Sequence, residues 1–474
     1  MFGKKYILKM ARREDGAITV YSLFLTITLI CVGGLALDVA NAVMVKTHLQ
    51  IAADSAAHAA LVARDRDRTE AQAKTIAVDV AQASLPASHY GDTIRDTDIM
   101  FGTWNAATGT FTEVAGSDDA VLVNTQRLAD RGNSMVTYFL RFAGLWEMDV
   151  VSQSVFETYR PTCMLEGLLA EEVVDTQSGN TYTAGFCIHS NDHVEVNNGN
   201  TFQDGVIVSM PYESQIVTPN SSGGWGNNPG LPSAVRSGSY HIQILSRNYD
   251  IIAEFDDRTS DYFNSDYLDT PVKDTSFTGG LTLDASTGQA GDVHRINCGP
   301  LAGLDGPITN VMHTAAGGVA GAPSSGGTTT GGGSSNTVVI GDGVTNGAIY
   351  TDCLIDIQTK LVLEDLLIIS ENTDDFSVQG RADNILGRID NCAAGGGIQI
   401  VTKGGVKFAN GVQLHGSQVI AMGPVEFSAN AGSMHGVSII TNSTLDFTSG
   451  ATMGFCNGAG MEHAYEAEYF RLAH

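Results

Sequence analysis

From Gly16 to Leu37 the chain carries no charged residue, and Ile18, Val20, Leu23, Phe24, Ile27, Ile30, Leu35 and their neighbours form one apolar run. A run of about 20 residues is enough to cross the hydrocarbon core of a membrane. Thr19, Ser22, Thr26 and Thr28 interrupt it, but each can return its hydroxyl to a helix carbonyl. The helical period then continues: Val39, Ala42, Val43, Leu49, Ala52, Ala53, Ala56, Ala60 and Ala63 recur at three- and four-residue steps, and no proline appears before Pro86. The pattern predicts one helix from residue 17 to about 64, roughly 70 Å long at 1.5 Å per residue. A charged stretch, Arg64 to Arg68, precedes a second amphipathic helix expected from about Thr69 to Ser84.

Beyond Pro86 the period shortens to two. Ile99–Trp104 and Thr110–Val114 read as a hairpin about an Asn/Gly-bearing turn, Val121–Asn124 and Val150–Phe156 as further strands, and Ser134–Phe142 as a short helix. Residues 86–160 are therefore expected to form a small α+β domain, with Trp104 anchoring its core.

The remainder repeats. Val406-Lys407-Phe408, Val425-Glu426-Phe427 and Leu445-Asp446-Phe447 recur at spacings of 19 and 20, Leu414, Met434 and Met453 follow in phase, and Ile400, Ile420 and Ile440 are 20 apart. Upstream, Val194-Glu195-Val196-Asn197-Asn198-Gly199 aligns with residues 406–411. Short strands, Asn/Gly turns and this period match a coil of a parallel β-helix; the leucine spacing of period-20 leucine-rich repeats is missing. Residues 161–474 are expected to form this solenoid, interrupted by residues 211–337 as an excursion. Residues 315–336, glycine, serine, threonine and alanine in the main, read as a flexible linker.

A chain of 474 residues allows two or three domains. Acids outnumber bases 52 to 26, which argues against duplex nucleic acid as a partner. All five bases of the first 45 residues (Lys4, Lys5, Lys9, Arg12, Arg13) precede the apolar run, which leaves 21 bases against 49 acids beyond residue 45. The positive-inside rule then gives a cytoplasmic tip (1–16), a transmembrane helix (17–37) and an acidic body on the far side. A cleaved secretory signal would need a shorter apolar stretch and a small-x-small site; Ala36-Leu37-Asp38 supplies neither, so a retained anchor is expected. Cys31 lies in the span, and Cys163, Cys187, Cys298, Cys353, Cys392 and Cys456 lie beyond it. An even count in an oxidising compartment allows up to three disulfides, with 15 pairings open.

Candidate chemistry is sparse. His189 and His193 are four apart, but on strand and turn rather than helix, which defeats a shared metal. Asp284-Ala285-Ser286-Thr287-Gly288 falls one residue short of an Asp-x-Ser-x-Ser metal motif and reads as a turn. Asp256, Asp257, Asp261, Asp266 and Asp269 lack the spacing of a calcium loop. His415 and His435 are placed to stack one coil apart, with no partnered carboxylate in view. No catalytic, cofactor-binding or metal-binding residue is assigned, and no cofactor is expected.

The N-terminal residues carry a family resemblance. Gly16-Ala17-Ile18 opening the apolar helix, Gly33-Gly34 and Asp38 at its outer end, the Leu49–Ala57 segment with Asp54, and the Gly102-Thr103-Trp104 hairpin resemble TadG-like Flp (Tad) pilus-assembly proteins over residues 10–160. Tyr21 stands at the fifth position after Gly16, where processed Flp pilins carry glutamate; an unprocessed anchor is what the TadG-like branch implies. The expected architecture is thus an N-terminal transmembrane helix with a long helical stalk (38–85), a small α+β pilin-like domain and a C-terminal parallel β-helix with a long insertion. The resemblance implies a non-enzymatic structural or assembly component of a Flp/Tad pilus in the bacterial inner membrane, its body periplasmic or at the cell surface. Its partners would be the membrane, the pilus machinery or pilin subunits, and surface glycans. The alternative is a membrane-tethered polysaccharide-active enzyme or glycan-binding protein, because β-helices often host such grooves.

Overall fold

The structure is a computed structural model that describes residues 15–66, 68–219, 224–255, 257–260, 262–263, 266–268, 271–287, 290–299 and 336–473, with the side chains of residues 15–17, 162 and 163 left aside. It consists of a long apolar N-terminal helix and a large β-rich C-terminal region of parallel sheets, and it divides into two compact units. Residues 1–159 with 468–474 form the first, residues 160–467 the second.

The long helix, α1 (Asp15–Asp65), runs unbroken, and its segment from Ile18 to Leu37 exposes its apolar side chains. Ser22, Thr26 and Thr28 do bond back to the carbonyls of Thr19, Ser22 and Phe24. The second helix, α2 (Glu70–Ser84), starts at a capping box: Gln72 N–H donates to Thr69 Oγ1 and Thr69 N–H to Gln72 Oε1.

The outer half of α1 is not a free stalk distinct from the α+β domain. Leu49, Ala52, Ala53, Ala56, Ala60 and Leu61 are wholly buried, in one core with Ala73, Ala77 and Ala81 of α2 and with Ile99, Phe101, Val121 and Val123 of the sheet. Small side chains at i, i+3 and i+4 let the second helix and the sheet approach α1 on the same side. Residues 38–85 and 86–159 therefore share one hydrophobic core.

That sheet is antiparallel. In spatial order its strands are Thr110–Glu113, Ile99–Asn105, Ala120–Arg127, Val150–Tyr159 and Tyr469–Leu472. The last strand comes from the chain's C-terminal end, which the repeat pattern had placed in the solenoid. The expected helix over Ser134–Phe142 reduces to a single turn, Leu140–Ala143. Met135–Val136 pairs instead with Glu147–Met148. The reason lies on α1: the buried Asp38 carboxylate accepts the N–H groups of Tyr138 (2.6 Å), Phe139 (2.8 Å) and Leu140 (2.6 Å), donors that a longer helix would have needed pointing along its own axis.

In the second unit, strands pair in parallel at offsets near 20. Val406, Lys407 and Phe408 stand beside Val425, Glu426 and Phe427, and Val425 and Glu426 beside Leu445 and Asp446. One register differs from the expected phase: Ile400 pairs with Val419, so that Val401, Ile420 and Ile440 share a row. Ile400, Val419 and Ile439 then face the main core, while Ile420 and Ile440 are buried on the opposite face. The helix Gln243–Glu254 packs on the two strands that carry Val401 and Ile420, and Asn248 Nδ2 donates to Thr402 O.

Residues 211–337 are not simply an excursion, because Val235–Ser237, Asp274–Thr278, Thr282–Leu283 and Val293–Asn297 all join the parallel sheets. These strands lack the Val-x-Phe signature, so self-comparison passed over them. The 315–336 linker lies outside the described residues except Asn336. In space the strands run 235–237, 207–210, 187–190, 167–170, 433–441, 413–421, 398–402, 366–370, 347–351, 293–297, 274–278. The first strand of the unit thus lies beside its last long one.

Turns are fixed by buried asparagines. Asn180 N–H donates to Asn200 Oδ1 (2.8 Å), Asn200 N–H to Asn228 Oδ1 (2.9 Å), and Ala451 N–H to Asn180 Oδ1 (2.8 Å). Two disulfides add covalent ties, Cys298–Cys353 and Cys392–Cys456, with Cα atoms 5.3 and 5.7 Å apart. Cys187 is also disulfide-bonded, the Cys163 side chain is outside the description, and Cys31 is a free thiol exposed on α1. Asn200→Ala leaves the Asn180 N–H buried without an acceptor, and is expected to cost about 2 kcal/mol, read as a lowered urea midpoint at unchanged slope.

Candidate functional site

The outward positions of the 9-stranded parallel sheet bring acids from both ends of the second unit into one row. In register across neighbouring strands stand Glu195, Asp175, Asp446, Glu426, Lys407, Gln379 and Asp356. Adjacent strands lie about 4.8 Å apart, so the first four place four carboxylates in succession with no cation between them. Gln177 Nε2 donates to Asp175 Oδ2 (3.1 Å) and Asp446 Oδ1 (2.9 Å), and Asn197 Nδ2 to Asp175 Oδ1 (3.2 Å). Lys407 Nζ neutralises the far side through Glu426 Oε1 at 2.6 Å.

Partial burial pushes the Asp175 carboxyl up to about 6, and the charges of Asp446 and Glu195 add to it. Burial raises Asp446 as well, with Glu426 contributing. A carboxyl raised this far takes up its proton about one unit below neutrality, in the range where general acids work. Sequence reading missed the row because Asp175 and Asp446 belong to opposite ends of the repeat; the signal was there in the alignment of Glu195 with Lys407, which put both on the outward phase.

The other candidates resolve into structural roles. His189 is buried, with Nδ1 on Ser209 Oγ (2.8 Å) and Nε2 on Asn191 Oδ1 (3.0 Å). His193 pairs with Asp192 and Glu195 instead. His415 and His435 do stack, with centroids 6.3 Å apart and planes 16° from parallel. Burial, with His435 adding to it, lowers His415 to about 4, so it stays neutral at physiological pH. Asp284 Oδ1 accepts from Ser286 N–H and Oγ, closing a turn. Asp257 accepts from Thr259 and Asp266 meets His463, whereas Asp256, Asp261 and Asp269 lie outside the described residues.

Among the described residues, two groups have the geometry to hold an ion: Cys392, His435 and Cys456, and Cys298, Asp352 and Cys353. Both contain the sulfurs of a disulfide, which have no thiolate charge with which to ligate a metal.

The N-terminal motif residues are built into the first unit. Gly16 lies in the first turn of α1. Asp54 Oδ1 accepts from Gln50 Nε2, which also donates to Gln153 O and so ties the helix to the sheet. Gly102 has no room for a side chain, since a Cβ would overlap the Thr112 carbonyl oxygen. Trp104 is only half-buried, opposite Phe111 in the hairpin. Strand alternation gives the core position to Phe101, 1% exposed.

Residues 16–73 match the family model described as putative Flp pilus-assembly TadE/G-like. This stretch holds the apolar segment, Asp38 and Asp54, and it bears out the N-terminal resemblance. A second model, the domain of unknown function DUF7867, matches residues 167–304 and 326–457, more than half of the sequence. The chain belongs to the DUF7867 family. That match opens on the first parallel strand, Gly167–Ala170, and closes just after Cys456. No curated protein and no solved structure matches the chain.

Within the DUF7867 region the acid row gives a pH signature. Folding raises Asp175 from 3.8 to about 6. Ionising it therefore carries no penalty below about pH 4, a growing one between about 4 and 6, and the full penalty above. Asp175→Asn is expected to stabilise the protein at pH 7.5 by about 1–2 kcal/mol after solvent screening and to have no effect at pH 4, measured by urea unfolding at the two pH values.

Proposed function

We propose that this protein is a single-pass membrane component of a Flp/Tad-type pilus apparatus, acting as a structural or assembly part. The observation that carries this reading is the TadE/G-like match over residues 16–73, which coincides with the helix apolar enough to cross a membrane. The bases at Lys4, Lys5, Lys9, Arg12 and Arg13 favour a cytoplasmic N-terminus. The disulfides favour a body in the periplasm or at the cell surface.

In this reading the second unit is a parallel β-helix that offers an elongated surface for docking or adhesion. The parallel registers at offsets near 20 and the inward stack of Phe408, Phe427 and Phe447, with centroids 4.7 and 5.3 Å apart, support it. Its partners would be pilus machinery, pilin subunits or surface glycans, and it would turn nothing over. The acid row favours one second reading, a membrane-tethered glycan-active enzyme with Asp175 as the acid. Strands about 4.8 Å apart bring neighbouring carboxyls into the range of about 5 Å that a retaining glycosidase would need.

Peptide mass spectrometry of sheared surface fibres and inner membranes from the same cells tests the first reading. The protein is expected in the membrane with residues before Gly16 still attached, and its deletion is expected to reduce piliation. Normal pili in the deletion strain would overturn the assignment. Asp175→Asn is expected to leave piliation intact; cleavage of an acidic or neutral glycan by the wild type and not by this variant would replace the first reading with the second.

A further inference from the structure

The segment Met135–Trp146 carries a single charge, Arg141, yet turns its large apolar side chains outward: Tyr138, Phe142, Leu145 and Trp146 are exposed, Phe142 by 85%. Within the first unit this segment lies against the apolar stretch of α1. Phe139 closes on Gly34 so tightly that a Cβ there would overlap its ring, and Leu140, Phe142 and Ala143 line a shallow apolar depression with Ile30, Cys31 and Leu35.

From this geometry we infer that residues 138–146 insert into the outer leaflet beside α1, as a second membrane contact. The inference rests on the membrane-spanning reading of that helix. The uncharged run Gly16–Leu37 extends about 33 Å at 1.5 Å per residue, against a hydrocarbon core of about 30 Å. The run exceeds the core by only about two residues. Were the lipid to stop short of the level of Ile30, the segment left to cross would measure only about 21 Å. A bilayer of ordinary thickness therefore reaches the loop, which extends from Asp38 about 12 Å along the helix toward Ile30.

The loop is prepared for a low dielectric, where an unpaired backbone group costs several kcal/mol. Tyr138, Phe139 and Leu140 give their N–H groups to Asp38. Thr137 N–H donates to Trp146 O, Phe142 N–H to Phe139 O, Gly144 N–H to Arg141 O and Leu145 N–H to Leu140 O. The Arg141 guanidinium folds back on Thr137 O at 3.0 and 2.7 Å. Its length lets the charge stay at headgroup level while its stem lies among apolar groups. Tyr138 and Trp146 have the amphipathic rings that favour this interface.

The test uses the full chain reconstituted in phosphatidylcholine vesicles brominated on the upper acyl chain, with carbonate extraction run in parallel. One of the protein's 3 tryptophans would meet lipid bromine, so about one third of the emission is expected to be quenched, and this component is expected to vanish in Trp146→Phe. A protein that resists extraction but shows no Trp146 quenching keeps its span and overturns the loop insertion. Shielding of Trp146 from aqueous acrylamide without bromine quenching also overturns it, because protein rather than lipid would then cover the loop. Extraction by carbonate would overturn the spanning reading itself.

Discussion

Register is the constraint on which the second unit depends. In a parallel stack, inward and outward positions alternate, and a slip of one residue would turn every buried side chain to water. Val406, Val425, Leu445, Val174 and Val194 therefore stand in one row, and the intervening residues Lys407, Glu426, Asp446, Asp175 and Glu195 stand in the next. The crowding of carboxylates is inherited from the same alignment that builds the core. Register fixes the positions at which these four side chains meet; that all four are acids is a separate property of the sequence.

Much of this is legible in the amino-acid pattern. The Val-x-Phe period gave the pairing of strands 406–408, 425–427 and 445–447, and the copy at 194–196 proved to lie in the same sheet. What remained hidden was order. Periodicity says which residues align but not which strand lies beside which, so nothing in the pattern shows that strand 167–170 neighbours strand 433–441. Strands 274–278 and 293–297 escaped notice because Asp274-Thr275-Ser276-Phe277-Thr278 and Val293-His294-Arg295-Ile296-Asn297 share no residue class with the repeat beyond alternation.

In the first unit the legible and the hidden divide differently. Apolar length announced α1, and its alanine stripe announced close packing, but not the partner. Leu49 to Ala63 are helix by local preference and core by tertiary contact, so they read as a stalk until the sheet is laid on them. Asp38 shows the same limit. An acid at the end of an apolar helix reads as a boundary, whereas its three backbone donors come from residues 138–140, some hundred positions away.

The pairing of strand Gly167–Ala170 with strand Ser433–Thr441 governs the order in which this chain can fold. Strand Gly167–Ala170 gains one neighbour from Cys187–Ser190 soon after it emerges. The other arrives only with Ser438–Thr441, and the turn bond from Ala451 to Asn180 closes across 271 residues. Until then one edge of the nascent stack offers an open ladder of N–H and C=O groups, a template for any passing strand. Such non-local closure is slow. A chain that stops short of Ser438 therefore keeps that edge unpaired.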